Sequence, residues 1–479
     1  MKLTMTTLAA ALVLAGCANY RSVEEASLQA ELPELADEFE NADFYASATP
    51  VAHWWQQLGD AELSALVERS LTVNHDMRIA RERLAESRAL LRHTKLDRFP
   101  QVTASAQGER RKMSEQAEPG VGITEYYQAG FDARWELDLF GRVNNAVKAA
   151  DAQLDEQQAI VRATQVSIAA EVGSAYMALR GAQHQLMVAT SNAANLRETF
   201  ELTRRLAEIG RADQFDITRA STQLALVEAR LPSLEAQINS ATNRLAVLTD
   251  QPEKHIRDRL AEYAPLPARP PQIAAGKPSE LLRRRPDIHA AEARLSAATA
   301  RYNVQVADLY PRITLNGGLG YLATDVDELG EQNSETFNFT PRIEWAAFDL
   351  GRVYARIDAA DARARAQLAA FEQSVLLALE ETDNALENYR RQNQRHEQLR
   401  KASVSSEQAL GYARQRFEVG SENFLGVLDA ERQRLTVSAQ LAESETQLLQ
   451  SLIAVYKSLA GGWPLPPDAI AADALASAR

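Results

Sequence analysis

Only one cysteine, Cys17, occurs in 479 residues, so no disulfide can form within a chain and no cysteine cluster can hold a metal. Glycine and proline are scarce, at 21 and 17, and with so few chain breakers the regular elements must be long. Past the first residues there is no run of roughly 20 apolar residues, which excludes a transmembrane helix. Any passage through a bilayer therefore has to be made by strands. Positive charge is in deficit: the net charge of −13 disfavours nucleic acid and anionic surfaces as partners. The seven histidines are scattered, with no HExxH or Cys/His cluster. Gly317-Gly318-Leu319-Gly320 lies in an alternating pattern rather than a phosphate loop, and no Lys-Ser/Thr follows it. No catalytic constellation emerges, so the expectation is a non-enzyme with no metal and no soluble cofactor.

What is present begins at the N-terminus. Lys2 is the only charge before Cys17, and the apolar stretch Leu8 to Leu14 has the length of a signal-peptide core. Leu14-Ala15-Gly16-Cys17 resembles the bacterial lipobox. The resemblance implies a signal peptide over 1–16, cleavage before Cys17, and N-acyl and S-diacylglycerol groups on that residue. Buried acyl methylenes contribute about 0.8 kcal/mol each, a firm anchor for two or three chains. Ala18, rather than Asp, follows the cysteine; in bacterial lipoprotein sorting that pattern implies the outer membrane. An ordinary secretory signal with an incidental cysteine is the competing reading.

The chain then repeats itself at an offset of 210 to 211 positions. Leu96-Asp97-Arg98-Phe99-Pro100-Gln101 is echoed by Asp308-Leu309-Tyr310-Pro311-Arg312. Trp135, Gly141-Arg142-Val143 and Ala149-Ala150-Asp151-Ala152 return as Trp345, Gly351-Arg352-Val353 and Ala359-Ala360-Asp361-Ala362, and Gly210 returns as Gly420. The expected organisation is a lipidated segment over 17–59, a first repeat over 60–264, a Pro-rich linker over 265–278, a second repeat over 279–463 and a tail over 464–479. Each repeat reads as a helix (about 60–96 and 278–309), a β-hairpin (100–139 and 311–349) and a long helical hairpin (140–250 and 350–460).

The strands alternate with period two. Tyr127, Ala129, Phe131, Ala133, Trp135, Leu137 and Leu139 interleave with Gln128, Gly130, Asp132, Arg134, Glu136 and Asp138. Phe337, Phe339, Pro341, Ile343 and Trp345 interleave with Asn338, Thr340, Arg342 and Glu344. One face is apolar and the other polar. Four such segments, around 102–107, 127–139, 313–321 and 337–345, have the length of tilted membrane strands. A soluble sheet with one buried face gives the same alternation, but no separate layer is on offer to cover it. Four strands leave open edges, which lipid does not tolerate, so membrane strands would require several copies; three give twelve strands.

The helices are long. No proline separates Pro119 from Pro232, and neither glycine nor proline lies between Gly351 and Gly411. A helix from Arg142 to Ile209 would extend about 100 Å. Val172, Ala175, Leu179, Ala182, Leu186, Ala189, Ala193, Leu196 and Phe200 step by three and four, as do Leu435, Ala439, Ala442, Thr446, Leu449, Ile453 and Tyr456. That spacing is a coiled-coil seam. The wall of a tube and a solid bundle both fit it.

The repeat, the Phe99-Pro100 and Tyr310-Pro311 helix exits, the Gly-Arg-Val helix starts and the turns at glycine together resemble the TolC-like outer-membrane efflux proteins, most closely the lipidated OprM/NodT branch. Two stretches are especially specific. Arg416-Phe417-Glu418-Val419-Gly420 running into Leu428-Asp429-Ala430-Glu431-Arg432 resembles the family's periplasmic tip. Leu459-Ala460-Gly461-Gly462-Trp463 resembles its C-terminal motif, with Ala460 departing from it. The resemblance implies a mainly α protein with a transmembrane barrel: a homotrimer, a twelve-stranded β-barrel with four strands per chain, and a long α-helical barrel continuing it. It implies outer-membrane lipid around the barrel, a periplasmic adaptor docking at the turns of Gly210 and Gly420, and an inner-membrane RND-type transporter. The expected function is the exit duct of a tripartite efflux pump for drugs or other small molecules. A type I protein-secretion channel and a coiled-coil envelope tether are the alternatives. Gate candidates are the charges at the turns, Asp213, Asp216, Arg416, Glu418, Glu422 and Asp429, since rings of carboxylates set cation preference in pores. Glu418 stands where relatives carry arginine, and helix-capping and solvation are the ordinary roles of such residues.

Overall fold

The computed structural model describes residues 21, 45–46, 51–114, 116–117, 119–270, 272–277, 284–421 and 424–460. Cys17, Glu422, Gly461-Gly462-Trp463 and the 464–479 tail lie outside the described residues. The chain divides into two compact units, the first drawn from 1–32, 82–159 and 289–374, the second from 33–81, 160–288 and 375–479.

The first unit is built on an antiparallel sheet of β2 (Gln101–Lys112), β3 (Ile123–Leu137), β5 (Arg312–Ala323) and β6 (Glu335–Glu344) in that spatial order. The register pairs Gln101 with Arg134, Arg134 with Asn316, and Asn316 with Thr340. Each hairpin comes from one repeat, and the β3–β5 ladder joins them. Pro100 and Pro311, which lack an N–H, mark the change from helix to strand. The preceding helices end in matching tight turns: the Phe99 N–H donates to the Leu96 carbonyl at 2.9 Å, and that of Tyr310 to Ala307 at 3.1 Å. Trp135 donates its indole N–H to the carbonyl of Arg98 at 2.9 Å, and Trp345 repeats the bond to Leu309 at 3.0 Å. Asp138 caps the next helix by accepting from the backbone of Val143 and Asn144, at 2.9 and 2.7 Å. Arg21 is held in the same unit. Its backbone exchanges hydrogen bonds with the Asn303 side chain at 3.1 and 2.9 Å, and its guanidinium pairs with Asp361 and lies over the Tyr302 ring.

The helices follow in chain order. α1 (Ala61–Val73) and α2 (His75–Leu96) precede β2. α3 (Arg142–Glu208), α4 (Gln214–Glu228), α5 (Leu231–Leu248) and α6 (Glu253–Leu260) follow β3, and α7 (Pro286–Ala307) precedes β5. α8 (Leu350–Glu418) and α9 (Phe424–Ser458) follow β6. The single helix expected over 60–96 is two, because Asn74 adopts extended backbone (φ −56, ψ 137). Its buried amide donates to the Leu248 carbonyl at 3.1 Å and accepts from the Asp76 N–H at 2.8 Å, capping α2. The return helix of the first hairpin is likewise split into α4 and α5, just before Pro232 at the start of α5.

The second unit holds the main core. Trp54, Trp55, Leu63, Leu66, Met77, Tyr176, Leu245, Leu248, Ile256 and Tyr456 are almost fully buried in it. Trp54 stacks on Tyr456 at 5.1 Å. Asp60 caps α1 through the Leu63 N–H at 2.9 Å, and its other oxygen accepts from the Tyr176 hydroxyl at 2.7 Å. A two-residue parallel ladder pairs β1 (Tyr45–Ala46), ahead of the first repeat, with β4 (Ile273–Ala274) in the linker region. Burial raises the Tyr176 hydroxyl to about 12, above the reach of physiological pH. Arg285, buried, donates to Asp287, Glu381 and the Ser458 carbonyl, tying the start of α7 to α8 and α9. The coiled-coil positions from Val172 to Leu196 on α3 and from Leu435 to Tyr456 on α9 are buried or half-buried, as their spacing requires.

Candidate functional site: the sheet faces and the helical turns

Two features of the fold bear on function, one in each unit. The first is the sheet. Alternation places Val102, Phe131, Leu319, Phe337, Phe339 and Ile343 on one face, and all are exposed, Phe337 at 85%. A contiguous apolar face of this kind marks a surface that meets lipid or another protein. The opposite face carries Thr103, Ser105, Asp132, Arg134, Glu136, Asn316, Asn338 and Arg342. Its charges are partly matched: Ser105 donates to Asp132 at 3.1 Å, and Arg342 pairs with Glu344 at 3.2 Å. Strands β2 and β6 are edges of this sheet, so their outer backbone groups await a partner. No helix among the described residues is long and apolar enough to cross a membrane.

The second feature is the pair of turns closing the helical hairpins. Gly210 and Gly420 both stand at φ +74. At the first, Gly210 N–H donates to Ala207 at 3.0 Å and Arg211 N–H to Leu206 at 2.8 Å; at the second, Gly420 donates to Phe417 at 3.0 Å and Ser421 to Arg416 at 2.9 Å. These are the paired bonds of a Schellman ending, repeated at the internal offset. The helices of both turns meet in one apolar cluster of Leu206, Leu410, Phe424, Val427 and Leu428.

The charged candidates fall into distinct roles. Asp213 and Asp216 form a capping box at the start of α4, each carboxylate accepting a backbone N–H of the other, at 2.9 and 3.3 Å. Asp429 is exposed and pairs with Arg432 one turn further along α9 at 2.7 Å. Glu418 and Arg416 are exposed at the end of α8. Glu418 lines an open groove of about 1010 Å³ between α3 and the α8–α9 pair, with Arg205, Arg414, Glu431 and Arg434.

Glu431, part of the tip stretch but not among its gate candidates, is the buried charge of this region. It is 1% exposed, accepts from the Thr199 hydroxyl at 3.1 Å and faces Arg414 at 3.7 Å. Its signal was positional: Val427, Leu428, Glu431 and Leu435 share the apolar stripe of α9, so a carboxylate was placed where the seam is dry. Two histidines that form no motif in the sequence also meet α9. His184 on α3 lies 3.2 Å from Glu445, and His396 on α8 lies 3.2 Å from Ser444, so both meet consecutive residues of α9. No group of His, Cys, Asp and Glu able to hold a metal occurs among the described residues.

Similarity to known proteins follows this architecture closely. The sequence profile of the outer membrane efflux protein family matches residues 66–250 and 277–461, one segment per repeat. Outer membrane protein OprJ of Pseudomonas aeruginosa is 31% identical over 428 residues, covering 87% of this chain and 88% of OprJ. The toluene efflux pump outer membrane protein TtgC of Pseudomonas putida is 29% identical over 472 residues, covering 95% of this chain and 94% of TtgC. The solved structure of the outer-membrane channel OprN superposes with a TM-score of 0.85 at 40% identity, covering 90% of this chain and 98% of that one. With the profile spanning both repeats, and with sheet, hairpins and turns all in place, the chain belongs to the outer membrane efflux protein family.

Proposed function

We propose that this outer-membrane efflux protein is the passive exit duct of a tripartite pump, working as a homotrimer. Three four-stranded sheets close into a twelve-stranded barrel, with the apolar face of Phe131, Leu319, Phe337 and Phe339 toward lipid and the polar face of Asp132, Arg134 and Asn316 toward the lumen. The helical hairpins continue the passage as an α-helical barrel into the periplasm. The observation that carries this reading is a sheet with one exposed apolar face and two open edges, in a chain of this family. A single copy satisfies neither lipid nor its own backbone; a closed ring satisfies both.

The duct takes its energy from partners: an inner-membrane RND-type transporter and a periplasmic adaptor docked at the turns of Gly210 and Gly420. Lipid on Cys17 anchors the N-terminus in the outer membrane. The cargo class is small and organic, a reading supported by a relative named for toluene efflux. A type I protein-secretion channel is the second reading; the lipobox favours drug efflux over it, since secretion ducts are usually unlipidated. Heat-modifiable, SDS-resistant trimers that conduct ions in planar bilayers are the expected behaviour of the purified protein. A monomeric rod without conductance would instead indicate a coiled-coil tether.

A further inference from the structure

We infer that β2 of one copy and β6 of the next are complementary in charge and in size, and that this complementarity sets the register in which the copies close. The inference rests on the trimer reading above.

The two edges differ in kind. On the lipid-facing side β2 carries Val102, Ala104, Ala106 and Gly108, then Arg110 and Lys112. The same side of β6 carries Glu335, then Phe337, Phe339, Pro341 and Ile343. One edge is small in the middle and basic at its outer end; the other is aromatic in the middle and acidic at its outer end. The turn before β6 adds Asp325, Asp327, Glu328 and Glu331 to the acidic end. Within the chain Arg110 has one carboxylate partner and an exposed face open to a second. It pairs with Glu125 at 3.1 Å while its side chain stays 71% exposed, and Lys112 is exposed beside it.

Because β2 and β6 run antiparallel when sheets join in a ring, one alignment satisfies charge and volume together. Glu335 falls opposite Arg110, Phe337 opposite Gly108, Phe339 opposite Ala106 and Ile343 opposite Val102. The Tyr127 ring already leans over Gly108, 3.3 Å from where a Cβ would stand, so Phe337 meets an aromatic face rather than a void. The alignment is also consistent with barrel geometry. Within one chain the ladder runs Gln101, Arg134, Asn316, Thr340, and the proposed seam places Thr340 opposite Ser105 of the next copy, four residues along β2 from Gln101. Three such steps stagger twelve strands by twelve residues. At about 3.3 Å per residue and about 4.8 Å between strands this is a tilt of roughly 35°, within the range of membrane strands. Close to lipid the effective dielectric is low, so an ion pair at the outer rim discriminates strongly between registers.

The test is a charge exchange read by the temperature at which trimers dissociate in SDS, with a cysteine cross-link in outer membranes to read the register. Glu335→Arg should lower the dissociation temperature, and adding Arg110→Glu should recover most of the loss. Ala106→Cys together with Phe339→Cys should oxidise to covalent dimers and trimers, whereas Ala106→Cys with Pro341→Cys, the register slipped by two, should not. A wild-type trimer indifferent to Glu335→Arg, a loss that Arg110→Glu does not recover, or cross-linking of the slipped pair would overturn the seam and leave the trimer standing. A wild-type chain that runs as a monomer would overturn both.

Discussion

Gly181 of α3 packs so closely on Thr446 of α9 that a Cβ there would overlap the threonine hydroxyl and methyl and stand 2.8 Å from its Cβ. The seam between these helices is therefore set by a residue with no side chain meeting a β-branched one. Helix propensity favours alanine over glycine by about 1 kcal/mol, but overpacking a tight contact costs about 1–3 kcal/mol, so the clash wins. Gly181→Ala is expected to lower the unfolding temperature, and Thr446→Ala in the same chain to recover part of the loss. Thermal unfolding of the four proteins of this cycle in detergent decides it; a Gly181→Ala protein as stable as wild type would show that the seam relaxes freely.

The same stretch of α9 faces a pH-sensitive group, His396 of α8, which lies 3.2 Å from Ser444. His396 is 8% exposed, and burial pushes its pKa below the usual 6.5. Arg269 and Arg400 push it the same way, while Glu445 and Glu397 oppose them. A base whose folded pKa is lowered takes its proton first in the unfolded chain. Stability is thus expected to fall as pH drops through about 6.5, levelling off once the folded-state pKa is passed. His396→Gln should flatten that slope between roughly pH 7 and pH 5. Unfolding temperature measured across this range for both proteins checks it; an identical slope in the variant would place the dependence elsewhere.

The two glycine turns offer a cleaner perturbation. Gly210 and Gly420 are left-handed at φ +74, and nothing lies within 4 Å of an added Cβ. Alanine there meets only backbone strain, expected at about 1–2 kcal/mol each. The two sites share a cluster, so Gly210→Ala with Gly420→Ala measures whether the turns are coupled. Denaturant titration is the readout, and a neutral effect at either site would mean that the Schellman ending is dispensable.

At the same turns, Asp429 and Glu418 are exposed carboxylates that trimer symmetry would multiply into rings. Asp429→Asn with Glu418→Gln is expected to raise single-channel conductance if these charges, with their arginines, hold the resting tip narrow. Unchanged conductance in planar bilayers would leave the Asp429–Arg432 pair as a solvated contact of one helix.

What was legible in the sequence is what obeys a short period. The strands around Phe131 and Phe339 follow from alternation, α3 and α8 from their lack of breakers, and the turns at Gly210 and Gly420 from the one residue tolerant of positive φ. Less legible were features set by distant partners. The break at Asn74 depends on the carbonyl of Leu248, and the position of Arg21 on Asn303 and Asp361. Glu431 is one charge among several in the tip motif, and only the packing of α3 against α9 shows that it is buried. Asp213 and Asp216 had two open roles in the sequence, and the capping role is the one that the geometry of a single chain displays.

The central claim is that the duct empties a pump, and energised accumulation of a fluorescent dye such as ethidium tests it most directly. A strain lacking the gene is predicted to accumulate more dye than its parent, with accumulation restored to the parental level by the wild-type gene but not by a chain that cannot form the trimer. Equal accumulation with and without the gene, in a strain stripped of related ducts, would contradict it.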